Sequence, residues 1–216
     1  MDTRAARRQM VDQQIRTWDV LDARVLDAIA AIPREAFVPA AYRAVAFADA
    51  PIPIGLGQTM LAPKLHGRIL QALEVTPADS ALEVGTGTGY LAACLSRLAA
   101  RTRSIDIHPQ FIDQARTTLA ALPLAPIALA VRDAFSPETL GEYDVIALTG
   151  SMPRYDARFE RALAIGGRLF AIVGTAPVME AILVRRVGTD EWVRESLFET
   201  VIDPLIGAPA AEKFVF

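Results

Sequence analysis

The sequence predicts an α/β protein, with a doubly wound and mostly parallel sheet, a helical N-terminal extension and a closing antiparallel strand pair. Three observations predict this fold. An apolar run at residues 81–84 ends in a glycine-rich turn, and a helical pattern follows it directly. Short β-prone runs then alternate with helical segments, as a parallel sheet requires. The last two runs, residues 178–187 and 192–202, flank a turn and alternate well enough to form an antiparallel pair.

The first part of the chain is predicted to be helical. Residues 5–15 form one amphipathic pattern. A second helix is capped by Asp19 or Asp22 and ends at Pro33. Residues 48–63 contain five Pro and Gly residues and are expected to form a long loop, which in a compact domain is usually functional.

In the rest of the chain, segments with a helical pattern alternate with segments that have a strand pattern, and this predicts the remaining elements. A helix at 64–73 precedes the glycine turn. Buried strands are predicted at 81–84, 104–107, 127–131, 143–148 and 168–173. The helices between them are predicted at 91–100, 109–122 and 154–163, the last ending at Gly166-Gly167. The segment from Gly207 to Phe216 has no interpretable pattern.

Composition excludes several classes of protein. The net charge of −3 gives no electrostatic reason to expect nucleic acid binding. No apolar run reaches the ~20 residues of a membrane helix, and the arginine-rich first residues lack the apolar region of a secretory signal. The single cysteine, Cys94, cannot form an internal disulfide, which favours a reducing compartment and a cytoplasmic protein. No metal is expected, and the sequence leaves the oligomeric state open.

The glycine turn indicates a nucleotide site. Gly85, Gly87 and Gly89 stand at alternate positions between a buried strand and a helix. Glycine lets a ligand approach the backbone, and the helix N-terminus offers unpaired N–H groups. The dinucleotide fingerprint requires a glycine at position 90, where this chain has Tyr90.

The second strand carries an acid near its end. Asp106 follows Gly89 by seventeen residues, where a carboxylate can accept both hydroxyls of a ribose. With Glu83 before the glycines, this combination resembles the S-adenosylmethionine site of class I methyltransferases, which have a Rossmann-like fold.

The class I resemblance implies a set of cofactor-binding residues along the ends of the strands. They are Glu83, Gly85, Thr86, Gly87, Thr88, Gly89, Asp106, Ile107, Asp133, Ala134 and Thr149. Asp133 is included because, in the family that the two motifs described next resemble, an aspartate at this place lies beside the adenine amino group. Its alternative role is a turn or helix cap.

Two further motifs resemble protein-L-isoaspartate O-methyltransferases. The first is the segment Ile32-Pro33-Arg34-Glu35-Ala36-Phe37-Val38-Pro39, and the second is Pro53-Ile54-Gly55-Leu56-Gly57-Gln58-Thr59. In that family both motifs precede the cofactor turn in the same order. The resemblance implies a single domain of 216 residues, with N-terminal helices at 1–47, a substrate loop at 48–63 and a cofactor-binding core at 64–216. It also implies a peptide or protein substrate carrying isoaspartate, with Gln58 and Thr59 as candidate catalytic residues.

One position departs from the family pattern. The family's loop has a serine where this chain has Leu61, and leucine neither donates nor accepts a hydrogen bond. Three interpretations therefore stay open: an isoaspartyl carboxyl methyltransferase, a methyltransferase of the same fold with another acceptor, and a cofactor-binding homologue without transferase activity. His66 is either a structural or a catalytic histidine.

The chemistry of the acceptor distinguishes the first two interpretations. A carboxylate is ionised at neutral pH and needs no general base, whereas a hydroxyl or amine acceptor needs one. The part of this loop from Ile54 to Pro63 offers Gln58 and Thr59 but no Asp, Glu or His. This composition favours a carboxylate acceptor.

Overall fold

A computed structural model describes residues 2–210 of the chain. Seven strands form one sheet in the order β5-β4-β3-β6-β7-β8-β9, and two short strands, β1 and β2, form a separate antiparallel hairpin. The strands are β1 (Ile52–Gly55), β2 (Gln58–Met60), β3 (Ser80–Val84), β4 (Arg101–Asp106), β5 (Ile127–Val131), β6 (Tyr143–Met152), β7 (Leu163–Thr175), β8 (Val178–Gly188) and β9 (Glu191–Glu199).

Seven α-helices surround these strands in the described part of the chain. They are α1 (Thr3–Met10), α2 (Ala23–Ala31), α3 (Arg34–Phe37), α4 (Pro63–Leu73), α5 (Tyr90–Leu98), α6 (Pro109–Ala120) and α7 (Arg158–Arg161). A π-helical turn at Val11–Ile15 and 3-10 turns at Arg16–Trp18 and Ala40–Val45 complete the N-terminal region. Asp22, not Asp19, caps α2, because its carboxylate accepts the Arg24 N–H at 2.8 Å.

The topology confirms the predicted fold class. Strands β3 to β7 pair in parallel, while β8 and β9 close the sheet in antiparallel fashion. The chain moves from β3 to β4 and β5 on one side, then returns to place β6 on the other side of β3. Open α/β sheets bind ligands at such a switch point, beyond the carboxyl ends of the strands.

Alternate side chains of the central strands enter two cores. Ala81, Val145 and Phe170 face a core shared with α2, α4 and α5, whereas Leu82 and Ile146 face a core that includes α7. This alternation is the period-two pattern of strands buried on both faces. None of the helices among residues 2–210 has the length and apolar composition needed to cross a bilayer.

Two predicted elements differ from the structure. The loop at 48–63 contains the β1–β2 hairpin, whose turn uses positive φ at Leu56 and Gly57. The helix predicted at 154–163 is reduced to the single turn α7, and β7 begins at Leu163.

Gly166-Gly167 therefore lies inside β7 and does not end a helix. The pairing of β6 with β7 shifts register across these glycines, with Tyr143 opposite Leu163 and Val145 opposite Arg168. A Cβ at Gly167 would lie 2.8 Å from a backbone carbonyl oxygen, so the bulge requires glycine. Of the C-terminal segment 207–216, residues 211–216 lie outside the described part of the chain.

Candidate active site

The glycine turn connects β3 to α5 with a backbone that only glycine adopts freely. Gly85, Gly87 and Gly89 have φ of +95°, +50° and +87°. A Cβ at Gly85 would lie 2.2 Å from the Thr149 hydroxyl oxygen. That hydroxyl donates to the Gly85 carbonyl at 2.7 Å and so ties the end of β6 to the turn.

Asp106 joins the turn to the end of β4. One carboxylate oxygen accepts the Gly87 N–H at 2.9 Å, and the other accepts the His108 N–H at 2.9 Å. Each carboxylate oxygen has a second lone pair, so Asp106 can still accept hydroxyl groups from a ligand. The acid thus fixes the loop geometry and lines the open cleft beside it.

Glu83 lies beneath the turn and is 1% exposed. The Ser104 hydroxyl donates to its carboxylate, and the Thr86 hydroxyl lies 2.6 Å from Ser104 Oγ. Burial is the main cause that raises the pKa of Glu83 to about 8. At neutral pH the acid is therefore mostly protonated, and this polar chain supports the turn from below.

A cleft with about 670 Å³ of space lies at the carboxyl ends of the strands. Its walls come from the glycine turn, the loops after β4 and β5, the end of β6, the β1–β2 hairpin and residues 203–206. A smaller recess of about 310 Å³ continues under the turn, and it is lined by Glu83, Thr86, Thr88 and His66 among others. Open α/β sheets bind nucleotides at this position, beyond the carboxyl ends of the strands.

The β1–β2 hairpin places the predicted catalytic residues over the cleft. Gln58 pairs with Gly55 and Thr59 with Pro53 in its register, and both Gln58 and Thr59 line the cleft. Leu61 follows β2, is 5% exposed and lines both the cleft and the recess. Where the family pattern has a hydroxyl, this site therefore has an apolar wall.

A buried arginine holds the hairpin in position. Arg34 is fully buried, and its guanidinium donates to the carbonyl oxygens of Ala46 at 2.9 Å and Leu61 at 2.8 Å. It also lies over the Tyr90 ring, 5.1 Å from the centroid. Burial lowers the pKa of Arg34, and these contacts compensate for the lost water.

His66 belongs to the same buried cluster. Its Nδ1 lies 3.3 Å from Arg34 Nη1, and burial together with the arginine charge places its pKa well below 6.5. The same Nδ1 lies 3.2 Å from the Ala62 carbonyl oxygen, so a neutral imidazole either accepts from the guanidinium or donates to that carbonyl, according to its tautomer. This arrangement favours the structural interpretation of His66 over the catalytic one.

Comparisons with known proteins agree with this geometry. The sequence profile of the protein-L-isoaspartate(D-aspartate) O-methyltransferase family matches residues 5–207. The chain belongs to this family. A protein-L-isoaspartate O-methyltransferase of Koribacter versatilis is 40% identical over 204 residues, which cover 93% of this chain and 90% of the relative. A protein-L-isoaspartate O-methyltransferase of Methylorubrum populi is 36% identical, and the match covers 94% of this chain and 96% of the relative.

A solved structure of the same family shares the fold. It is a crystal structure from Plasmodium falciparum, described as a putative protein-L-isoaspartate O-methyltransferase in complex with S-adenosyl-L-homocysteine. It matches with a TM-score of 0.79 at 16% identity, covering 92% of this chain and 97% of that one.

The structure brings together most residues predicted for the site of this methyltransferase-family chain. Those on the cleft are Gln58, Thr59, Gly85, Gly87, Asp106, Ile107, Ala134 and Thr149. Glu83, Thr86 and Thr88 line the recess under the turn.

Gly89 and Asp133 line neither space. A Cβ at Gly89 would lie 3.0 Å from Ala115 Cβ, so this glycine allows α6 to pack against the turn. The Asp133 carboxylate accepts the Phe135 N–H at 2.8 Å, which is the turn role considered for it above. Among residues 2–210, no three His, Cys, Asp or Glu side chains are grouped as metal ligands.

Sequence analysis missed one acidic residue of the site. The Thr59 hydroxyl donates to the Asp203 carboxylate at 2.7 Å, across 144 residues of sequence. Residues 54–63 contain no acidic side chain of their own, but in the folded chain an acid from beyond β9 lies beside Thr59. No local pattern around Asp203 signals this contact, because it depends on where the chain runs after β9.

Proposed function

We propose that this chain is an S-adenosylmethionine-dependent methyltransferase that esterifies the carboxylate of L-isoaspartyl residues in damaged proteins. The observation that carries the proposal is the shared cleft, in which the glycine turn with Asp106 meets the hairpin with Gln58 and Thr59. Membership of the family and relatives of that name at 36–40% identity support it.

The residues of the cleft fit this cofactor. The positive φ at Gly85 and Gly87 leaves the backbone open, and the N-terminus of α5 lies directly beyond it. Asp106 retains accepting capacity for ribose hydroxyls, and Ile107 and Ala134 supply apolar contacts at the ends of β4 and β5. We assign Thr149 to the wall of the cleft, where it holds the turn. When bound, the cofactor supplies a methyl group on a positively charged sulfur.

The protein's own residues position the acceptor and exclude water. An acceptor carboxylate is already ionised, so the site needs no proton transfer, and alignment of the reacting atoms supplies the acceleration. Leu61 and Ile54 form apolar walls beside the hairpin. The side-chain amide of Gln58 is free to donate to the acceptor, whereas the Thr59 proton is engaged by Asp203.

A second candidate function rests on the same Asp203. A carboxylate beside the Thr59 hydroxyl can act as the general base that a hydroxyl acceptor requires. A methyltransferase of this fold with another acceptor is therefore the alternative. Leu61 likewise leaves open a cofactor-binding homologue that transfers no methyl group to isoaspartate.

A transfer assay separates these functions. Native protein is incubated with labelled S-adenosylmethionine and a peptide carrying isoaspartate, or the same peptide carrying ordinary aspartate. We expect base-labile label only on the isoaspartyl peptide. Leu61→Ser should raise kcat/KM by roughly ten- to 150-fold, because a charge-assisted hydrogen bond to the acceptor contributes roughly 1.5–3 kcal/mol. Leu61→Ala is the matched control, since it removes the bulk without adding a hydroxyl.

The assay also has a negative outcome. If the native protein and Leu61→Ser bind the cofactor tightly and both leave isoaspartyl peptides unlabelled, the proposed acceptor is wrong. Label on a hydroxyl-bearing acceptor would then support the alternative.

We further propose that the chain acts as a single domain on peptides or proteins in the cytoplasm. The free, buried Cys94 supports a reducing compartment.

A further inference from the structure

We propose that Asp203 selects isoaspartyl substrates by charge, favouring acceptors that carry a positively charged residue next to the isoaspartate. This inference rests on the proposed function and names the preferred substrates of that site. Asp203 is then a specificity-determining residue and not part of the chemical step.

The backbone of Asp203 is held firmly at the end of the sheet. The Ser151 N–H donates to the Asp203 carbonyl at 2.9 Å, and the Leu205 N–H donates to the Ser151 carbonyl at 2.9 Å. Ser151 and Pro204 form a parallel bridge that extends the end of β6. A Cβ at Gly150 would lie 2.9 Å from the Leu205 side chain, so the glycine leaves room for Leu205 to pack there. These backbone hydrogen bonds and the packing of Leu205 therefore hold Asp203 in its position beside the cleft.

The side chain of Asp203 reaches across the mouth of the cleft to the hairpin. Its Oδ2 accepts the Thr59 hydroxyl, and both residues line the cleft that Gln58 also borders. The residue is exposed, so the carboxylate faces the solution from which a substrate arrives. An acceptor placed against Gln58 and Thr59 lies next to this charge.

Two other charged groups of the cleft lie away from the hairpin and contact the protein backbone. Asp106 accepts two backbone N–H groups, and Arg132 donates to the carbonyl oxygens of Glu138 and Thr139. Within residues 2–210, the polar partner of the Asp203 carboxylate is the neutral Thr59 hydroxyl, and no ion pair there includes it. Asp203 is therefore an acid without a cationic partner among residues 2–210, and it lies at the hairpin where the proposed acceptor binds.

This charge opposes the acceptor itself. The isoaspartyl carboxylate is negative, and two like charges within several ångströms repel each other, more strongly at low ionic strength. A lysine or arginine beside the isoaspartate offsets the repulsion through its own attraction to Asp203. A glutamate at the same place adds to the repulsion.

The test uses two sets of three peptides, in which the residue before or the residue after isoaspartate is Lys, Gln or Glu. For the native chain we expect kcat/KM to fall in that order, with a Lys-to-Glu ratio of roughly three- to tenfold at low salt, as for exposed charge pairs. The ratio should shrink as salt is added, since screening weakens exposed charge interactions.

Asp203→Asn keeps the shape of the side chain and removes its charge. In this variant we expect the Lys-to-Glu ratio to fall to about one, while kcat/KM for the Glu peptide rises. Asp203→Ala is a second variant with the same expectation, in case the amide packs badly. The matched control is Asp190→Asn, which removes an equal charge from the exposed β8–β9 turn and should keep the native ratio.

If Asp203 had only a structural role, its replacement would change kcat/KM for all the peptides by the same factor and leave the Lys-to-Glu ratio unchanged. An unchanged ratio in Asp203→Asn and Asp203→Ala therefore overturns the inference, as does a native chain without charge preference. If the native chain and both variants bind the cofactor but methylate none of the peptides, the proposed function itself fails.

Discussion

The buried acid under the glycine turn gives a quantitative prediction. Glu83 has a folded-state pKa of about 8 against an ordinary value of 4.5, mainly because burial disfavours its charged form. We expect Glu83→Gln to remove a pH-dependent loss of stability from the native chain. Glutamine keeps the size of the side chain and cannot ionise.

The sign of the effect follows from proton linkage. A carboxyl group whose pKa is raised on folding contributes stability that is fully present below the unfolded pKa of 4.5. That contribution is lost progressively as the pH rises toward 8. The gap between the two pKa values corresponds to at most roughly 5 kcal/mol of free energy of unfolding, most of it lost by neutral pH.

Urea unfolding at pH 5, 7 and 9 measures this loss. The difference in free energy of unfolding, native minus Glu83→Gln, should fall by roughly 3–5 kcal/mol from pH 5 to pH 9. The other titrating groups contribute equally to the free energy of unfolding of both proteins, so their contributions cancel in that difference. The Ser104 hydroxyl donates to the Glu83 carboxylate, and burying the glutamine amide nitrogen beside this donor costs the same free energy at every pH. This constant cost shifts the difference without changing its slope.

Asp190→Asn is the control, because it alters an exposed acid away from the cleft and should give a curve parallel to that of the native chain. Parallel curves for the native chain and Glu83→Gln would refute the reasoning, since they would mean that Glu83 is ionised at no extra cost in the folded chain.

Two further predictions concern the cofactor side of the cleft. Asp106→Ala frees two backbone N–H groups and removes the proposed acceptor of the ribose hydroxyls, so calorimetry should show cofactor binding weaker by roughly 1.5–3 kcal/mol. Unchanged affinity would contradict the assignment. Gly85→Ala places a Cβ 2.2 Å from the Thr149 hydroxyl oxygen at a φ of +95°, and it should abolish cofactor binding. Gly166→Ala is its control, because φ is +82° there with no atom within 4 Å, so it should lose some stability but bind normally.

Much of the fold could be predicted from the sequence because the decisive signals are local. The period-two and helical patterns identified the strands of the sheet, and the closing pair β8–β9 matches its prediction. The boundaries were less predictable. The helical pattern at 154–163 gave way to α7 and an early start of β7, because pairing with β6 satisfies the backbone from Leu163 onward.

The residues of the site also fall into two groups, those that local sequence predicts and those that only the folded chain brings together. The glycine positions and Asp106 were visible in the sequence, since both depend on residue type and spacing within one βαβ unit. The role of Arg34 was not visible, although its motif was. Its guanidinium binds the Leu61 carbonyl, and only the packing of the N-terminal helices against α4 and α5 brings the two together.

By itself the sequence determined the family, the α/β class, the cofactor turn and the apolar Leu61 in the substrate loop. Each of these follows from residue type at a fixed spacing. Only the tertiary structure decided that Glu83 is buried and mostly neutral, and that Asp203 meets Thr59 at the acceptor. The physical reason is that burial and contacts across 144 residues are set by how the sheet closes and where the chain returns, which no local pattern encodes.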